Sequence, residues 1–444
     1  KTICPNLDKQ SISVPKHVEN PLTCEFLIRM LFSALVDADC LDTECHWDKQ
    51  SFSIRQSSYD LQNLWNIFDR EQTRMMKESP ETPINSIRQE IYKACLDAAE
   101  RQRGVYKLAV PTGGGKTRSG MAFALKHAMH NKMERIIVAI PYTSIIDQNA
   151  QVYRSIFGEA NVLEHHSAVE FKDTEEYSEA DLKMRLATEN WDAPIIVTTT
   201  VQLFESLFAR KPSRCRKLHN IANSVLILDE VQTLPTELLE AIIDVLKELV
   251  ANYGVTVVLS TATQPAFSGN SPYLSGFTPE PLDIVPNPSH YFDALKRVEY
   301  EIVQEPWSWK KVSELIQQMD QVLCIVNSRK DAITLFDLVD DPHALHLSTL
   351  MCPAHRKEVL CEIRNRLDAG EPCKLISTQV VEAGVDLDFP VVFRAVAPLD
   401  RIVQAAGRCN REGRLSLGKV VVFQPKDEHK PLGTYRTAMA EARR

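Results

Sequence analysis

The stretch Val105-Tyr-Lys-Leu-Ala-Val-Pro-Thr-Gly-Gly-Gly-Lys-Thr117 decides the fold class of this chain. Its apolar opening, Val105–Val110, reads as a strand buried on both faces. The strand runs into Pro111 and Thr112. Gly113, Gly114 and Gly115 then let the backbone curl so that its N–H groups face inward. Lys116 supplies a point charge for phosphates, and Thr117 offers a hydroxyl to Mg²⁺ at the start of a helix whose N-terminus favours anions. Val110 stands where the full G-x-x-x-x-G-K-[ST] pattern has its first Gly. A strand, a phosphate cradle and a helix in that order belong to a doubly wound α/β sheet.

More strands of the same Val- and Ile-rich kind follow at Ile136–Ile140, Ile195–Thr199, Val225–Leu228 and Val255–Ser260. Helical stretches such as Gly120–His130 and Glu237–Val250 lie between them. A second block repeats the alternation at Val322–Val326, Lys374–Ser377, Val391–Phe393 and Val420–Phe423. Each block is expected to be a doubly wound parallel-sheet unit. Prolines 272, 279, 281, 286 and 288 crowd Phe267–Tyr300, so the joint is placed there. The expected division is 83–268 for the first unit, 269–300 for a linker, 301–425 for the second unit and 426–444 for a tail. In front, Asn20–Asp48 reads as helical and apolar, and Ser51–Pro83 as a polar connector with one helix, giving segments 1–50 and 51–82.

With 444 residues, 44% hydrophobic and 25% charged, the chain has the composition of an ordinary globular protein of two or three domains. No apolar run would span a bilayer, because Leu22–Val36 is broken by Glu25 and Arg29, so no membrane partner is expected. The net charge of −8 excludes a wholly basic nucleic-acid coat but not a local groove. Arg210, Lys211, Arg214, Arg216 and Lys217 are candidates for such a patch. Eleven Cys, an odd number without a C-x-x-C pair, read as reduced thiols of a cytoplasmic protein. The first residue is Lys, and the chain is expected to be a piece of a longer protein.

Three further motifs carry chemistry. Asp229 and Glu230 close the strand Val225–Leu228 in Leu228-Asp-Glu-Val-Gln232, where the carboxyl end of a parallel strand meets a ligand crevice. Asp229 is expected to hold Mg²⁺ and Glu230 to polarise an attacking water. Ser260-Thr-Ala-Thr263 follows the next strand, and its hydroxyls can bridge the acid pair to the second block. Gln404, Arg408 and Arg411 are spaced i, i+4 and i+7, which predicts one helix face. Arginines so placed reach across a cleft and stabilise charge on a γ-phosphate.

In this order the motifs resemble those of a superfamily 2 helicase of the DEAD/DEAH-box kind, with two RecA-like lobes. More narrowly, the chain resembles the CRISPR-associated helicase–nuclease of type I interference. That likeness rests on Asn85-Ser-Ile-Arg-Gln-Glu90, Pro141-Tyr-Thr-Ser-Ile-Ile-Asp-Gln148, His165-His-Ser167, Leu228–Gln232 and Gln379-Val-Val-Glu-Ala-Gly-Val-Asp386, and covers roughly Pro83 to Gln424. Gln232 stands where many relatives carry His. His165-His166 read as a turn in the first lobe.

The resemblance implies ATP and Mg²⁺ as cofactors and Gln89 as the reader of adenine. It implies Thr143, Ser144, Thr200 and Gln202 as strand contacts in the first lobe, and Ser328, Thr349 and Thr378 in the second. Gly384 and Asp386 would couple nucleotide to strand. It further implies ATP-dependent translocation on single-stranded DNA, 3′ to 5′, after recruitment by a crRNA-guided surveillance complex. Leu31–Glu44 resembles the end of an HD nuclease domain, with Asp39 as its terminal ligand for a divalent transition metal. No His-Asp dipeptide exists in the chain, so nuclease activity is not expected from it. An RNA helicase or repair translocase of the same superfamily, and a nucleotide-gated clamp without turnover, are the other readings.

Overall fold

Fully buried Val- and Ile-rich runs become the inner strands of two all-parallel sheets. The computed structural model describes residues 15, 18, 20–55, 59–141, 143–167, 179–261, 270–271, 274–382, 385–427 and 434–442. The first lobe holds β1 (Val105–Ala109), β2 (Arg135–Ile140), β3 (Val162–His165), β4 (Ile195–Thr199), β5 (Ser224–Leu228) and β6 (Thr256–Thr261). A small antiparallel pair follows, β7 (Asn270–Ser271) and β8 (Leu274–Ser275), and then β9 (Leu282–Asp283). The main sheet runs β3-β4-β2-β5-β6-β1-β9.

The second lobe holds β10 (Val298–Ile302), β11 (Gln321–Ile325), β12 (Ala344–Leu347), β13 (Cys373–Ser377), β14 (Val391–Ala395) and β15 (Gly418–Phe423), in the order β10-β15-β14-β11-β13-β12. Every pairing in both sheets is parallel. Two tandem doubly wound lobes are thus what the sequence led us to expect.

The two-residue period of a strand fills both faces of each sheet. In β2, Ile136, Val138 and Ile140 enter one apolar cluster while Ile137 and Ala139 enter the opposite one. In β11, Leu323 and Ile325 face one side and Val322 and Cys324 the other.

The front of the chain is bound into the first lobe. Helix Pro21–Trp47 starts at a capping box in which Asn20 accepts from Leu22 and Thr23 N–H groups. Its Phe26 and Met30 join the first lobe's core, and Ile28, Leu31, Phe32 and Leu35 form an exposed stripe. Helix Leu61–Glu78 lies within the stretch read as a connector. It packs Leu64 and Phe68 into the core on the sheet's other face. The stretch read as a linker holds β9, which pairs with β1, and helix Pro288–Ala294.

Within the candidate basic cluster, Arg210, Lys211 and Arg214 are exposed, whereas Arg216 and Lys217 are buried. Arg216 is buried, with Nε 2.8 Å from Asp37 Oδ1 and Nη1 3.0 Å from Glu189. Lys217 is buried too, and burial, with Arg216 and Arg214 nearby, pushes its amine down to about 8. Asp37 is a partner 179 positions away, and no local pattern announces it. Among the described residues no helix is long and apolar enough to cross a membrane, and the cysteines are free.

Candidate active site

A parallel sheet places its carboxyl strand ends on one edge, and both lobes turn that edge toward a shared cleft of about 430 Å³. From the first lobe come Thr112, Gly113, Gly115, Lys116, Thr117, Asp229, Glu230 and Gln232. From the second come Glu382, Asp386, Gln404, Arg408 and Arg411. Motifs separated by almost three hundred residues therefore meet.

The loop after β1 turns through left-handed backbone at Gly113 (φ +77°) and Gly115 (φ +83°), a conformation that side chains resist. Helix Lys116–His130 begins at once, as the reading of Thr117 at a helix start implied. Lys116 Nζ lies 3.0 Å from Glu230 Oε1 and 3.3 Å from Asp229 Oδ1. Burial by itself would lower this amine, but the two carboxylates outweigh it and hold the lysine charged. Burial likewise presses Glu230 upward. The charge of Lys116 and a hydrogen bond from Gln232 prevail and keep it below the usual carboxylate range.

Glu230 itself sits at φ +46°, an uncommon place for a side-chain-bearing residue. Ser260 Oγ donates to Asp229 Oδ1 at 2.8 Å. Gln232 Nε2 donates to Glu230 Oε2 at 2.6 Å and its Oε1 accepts from Thr261 at 2.9 Å. The acid pair is thus tied to the end of β6, and Gln232 is the middle of that tie. Thr263 and Gly384 lie outside the described residues.

The arginine motif departs from the single helix face that its spacing predicted. Helix Leu399–Ala406 ends at Gly407, and Arg408 and Arg411 follow it in a turn. Gly407 meets the first lobe closely: a Cβ there would stand 3.1 Å from Thr112 Cγ2. Beyond the helix end, Arg408 is buried and donates from Nε to Val381 O at 2.9 Å and from Nη2 to Glu382 O at 2.8 Å. Burial, then the charge of Arg411, pushes its guanidinium down to about 10. Arg411 pairs with Asp386 at 2.7 Å. Gln404 Nε2 is buried with no hydrogen-bond partner among the described residues.

Gln89 is exposed and outside the cleft lining, whereas its neighbour Arg88 is inside it. Arg88 Nε donates to Gly113 O at 2.9 Å, and Nη2 stands 3.8 Å from Glu412 of the second lobe. Sequence reasoning missed Arg88, although it adjoins Gln89 in the motif quoted for the resemblance. It also passed over Glu382, the buried acid inside Gln379–Asp386.

The residues implied as strand contacts follow strand ends in each lobe: Thr200 and Gln202 after β4, Ser328 after β11, Thr349 after β12 and Thr378 after β13. Thr349 is exposed, Gln202 and Ser328 are half-buried, and Thr200 and Thr378 are buried. Ser328 caps helix Arg329–Leu338 by accepting from Asp331 N–H at 3.0 Å. The side chains of Thr143 and Ser144 lie outside the described residues.

His165 ends β3 and accepts from Trp191 Nε1 at 3.0 Å, while His166 Nε2 lies 2.8 Å from Glu164 and 3.6 Å from Asp147. Arg154 closes on Glu164 from the other side at 2.8 Å, making a charge network between helix Thr143–Phe157 and β3. Asp39 is exposed and belongs to no group of three or more metal-competent side chains among the described residues.

Family models match in two places: DEAD/DEAH box helicase over residues 85–268, and CRISPR-associated nuclease/helicase Cas3, C-terminal, over residues 318–414. The chain is similar to the Cas3 nuclease/helicases. It is 27% identical to the CRISPR-associated nuclease/helicase Cas3 of Haloferax volcanii over 467 residues, covering 78% of this chain and 50% of that protein. Its fold matches the crystal structure of T. fusca Cas3-AMPPNP with a TM-score of 0.60 at 19% identity, over 81% of this chain and 49% of that one. It also matches a chain of a CRISPR RNA-guided surveillance complex, pre-nicking, with a TM-score of 0.53 at 19% identity, over 78% and 45%. This Cas3-like chain spans about half the length of the curated relatives it matches. Its lobes are two tandem RecA-like domains.

Proposed function

We propose that the chain is the ATP-driven motor of a type I CRISPR interference helicase, moving on single-stranded DNA. The observation that supports this best is the cleft itself, where Lys116, Asp229 and Glu230 of one lobe face Gln404, Arg408 and Arg411 of the other. A cradle with two left-handed glycines, a charged lysine and an unpartnered buried amide on Gln404 suits a triphosphate. Lys116 neutralises its β- and γ-phosphates. Glu230 polarises the attacking water, and Arg408 and Arg411 stabilise charge that grows on the γ-phosphate. Thr117 and Asp229 are hard oxygen donors that fit Mg²⁺, which would supply charge neutralisation between phosphates.

The strand is proposed to cross the carboxyl strand ends near Gln202, Ser328 and Thr349, through sequence-independent backbone contacts. Coupling is assigned to Gln232 and Asp386, which touch Glu230 and Arg411. A crRNA-guided surveillance complex is the proposed recruiter, in line with the likeness to a chain of such a complex. No DNA-cutting role is assigned to Asp39.

The test is ATP hydrolysis by the 444-residue chain with single-stranded DNA, with single-stranded RNA and with neither. Turnover raised mainly by DNA is expected. Stimulation by RNA alone would favour the RNA-helicase reading, and nucleotide-dependent strand binding without turnover would favour a clamp.

A further inference from the structure

Between the arginine cluster of the cleft and the proposed strand contacts of the second lobe lies a buried ion pair, one member of which, Glu382, also lines the cleft. Glu382 is 1% exposed and Arg394 of β14 is 0% exposed. The carboxylate is held by charge: Oε1 lies 2.9 Å from Arg394 Nε and Oε2 3.7 Å from Arg401 Nη1. Burial pushes Glu382 above the usual carboxylate range, and the two arginines pull against that.

On its backbone side, Glu382 O accepts from Arg408, and Val381 O does the same. Arg401 also donates to Gln404 Oε1 at 3.4 Å. Two of the three cleft-facing groups of the arginine motif therefore lean on the Glu382 segment, Arg408 directly and Gln404 through Arg401.

The other end of Arg394 points at a different element. Its Nη1 donates to Asn327 Oδ1 at 2.9 Å, to Ala395 O at 2.7 Å and to Ile325 O at 3.3 Å. Its Nη2 donates to Tyr435 Oη at 3.2 Å, and Tyr435 donates in turn to Asn327 Oδ1 at 3.1 Å. Gln379 Nε2 donates to Asn327 O at 2.9 Å. Asn327 immediately precedes Ser328, and Gln379 immediately follows Thr378. One rigid guanidinium fork thus spans from the segment that places Arg408 to the segment that places Ser328.

Burying two ions costs several kcal/mol each, and replacing a buried pair by apolar side chains of like volume is often neutral. Packing therefore does not account for the charges, whereas a directional link does. A planar fork holds two segments in a fixed relation, which a lysine point charge cannot do.

We infer that Glu382 and Arg394 are positioning residues that pass strand engagement at Asn327-Ser328 to Arg408 in the cleft. This rests on the reading of the cleft as a strand-stimulated ATP site. Strand contact that shifts the Asn327 segment moves the Arg394 fork, and with it the backbone carbonyls that hold Arg408.

The experiment compares the parent chain with Glu382→Gln, Arg394→Lys and the double variant Glu382→Met/Arg394→Met. The readouts are thermal melting, KM for ATP, and kcat with and without single-stranded DNA. For Glu382→Gln, the DNA-stimulated kcat should fall at least about tenfold while KM changes less than about threefold, because Arg408 acts on developing charge. Arg394→Lys should lower the ratio of stimulated to unstimulated turnover at least about fivefold, since the charge stays and the fork is lost.

The double variant loses the four hydrogen bonds that Arg394 donates, so it should melt somewhat below the parent, and it should remain unstimulated by DNA. Stimulation that returns with stability in the double variant would show a merely structural pair and overturn the inference. If the double variant does not fold, parent-like stimulation in Arg394→Lys overturns it. A parent chain whose turnover ignores DNA refutes the underlying reading and the inference together. A stimulated parent with parent-like variants refutes the inference alone.

Discussion

Replacing Glu230 with Gln should separate nucleotide binding from hydrolysis. In the structure Lys116 Nζ is 3.0 Å from Glu230 and 3.3 Å from Asp229, so the lysine that should serve phosphates is held by two acids. At 3 Å and an effective dielectric of 20, one such attraction is about 5 kcal/mol, an upper figure. Desolvation of the buried pair offsets most of it, leaving a restraint on the order of 1–2 kcal/mol. Glu230→Gln keeps the shape and removes one of the two holds. Nucleotide affinity should therefore rise, by up to about tenfold, since about 1.4 kcal/mol is a factor of ten. Hydrolysis should fall by about 10²- to 10⁴-fold, the usual contribution of a positioned base. The assays are titration with a fluorescent ATP analogue and steady-state phosphate release. Turnover within twofold of the parent would refute the base assignment, and weaker nucleotide binding would refute the view that Glu230 restrains Lys116.

Arg408→Ala and Arg411→Ala should each lower kcat by about 10²- to 10³-fold with KM for ATP nearly unchanged. An equal loss in both quantities would show ordinary ground-state binding. Gly407→Ala forces Thr112 to yield by a few tenths of an ångström where the lobes touch. It should reduce kcat several-fold without changing the melting temperature of the ligand-free chain, and parent-like kcat would show that the contact is dispensable. Lys217→Met concerns stability. The amine is depressed to about 8 from its ordinary 10.5, so the unfolded chain binds more protons between those values and stability rises with pH there. The variant should melt higher than the parent at pH 7, and its advantage should shrink as pH climbs from 8 to 10.5. A pH-independent difference in melting temperature would contradict the burial argument.

What the sequence made legible has a common physical basis. Inner parallel strands such as β2, β4, β5 and β6 are buried at every position, and they read as unbroken apolar runs. The strands left unread lie mostly at sheet margins. In β10 (Val298-Glu-Tyr-Glu-Ile302) four of five residues are exposed, and β9 is two exposed residues long. The phosphate loop and the acid pair were readable because their chemistry needs consecutive residues. Contacts that depend on distant partners gave no such signal. Arg88 with Glu412, Arg216 with Asp37, and Arg394 with both Glu382 and Asn327 join segments that no spacing rule connects. The helical spacing of Gln404, Arg408 and Arg411 was real in sequence, but Gly407 ends the helix between the first and the second. All three still reach the cleft, because a turn can deliver side chains to a wall as a helix can.

Among the described residues the apolar interior is divided four ways, two clusters on the faces of each sheet, and none of the four draws residues from both lobes. The lobes face each other across charged groups such as Lys116, Asp229, Glu230, Arg408 and Arg411, interspersed with Met75, Val152, Val385 and Val403. Parting them ruptures none of these four clusters, so water resists the separation less than it would the opening of a core. Each lobe keeps its own cohesion whether the gap is wide or narrow, and a ligand that touches both walls becomes the main adhesive between them. On the proposed motor reading, a stroke needs no refolding and no rupture of a core. It is the gain and loss of that adhesive with each triphosphate, between two bodies that each keep their own core.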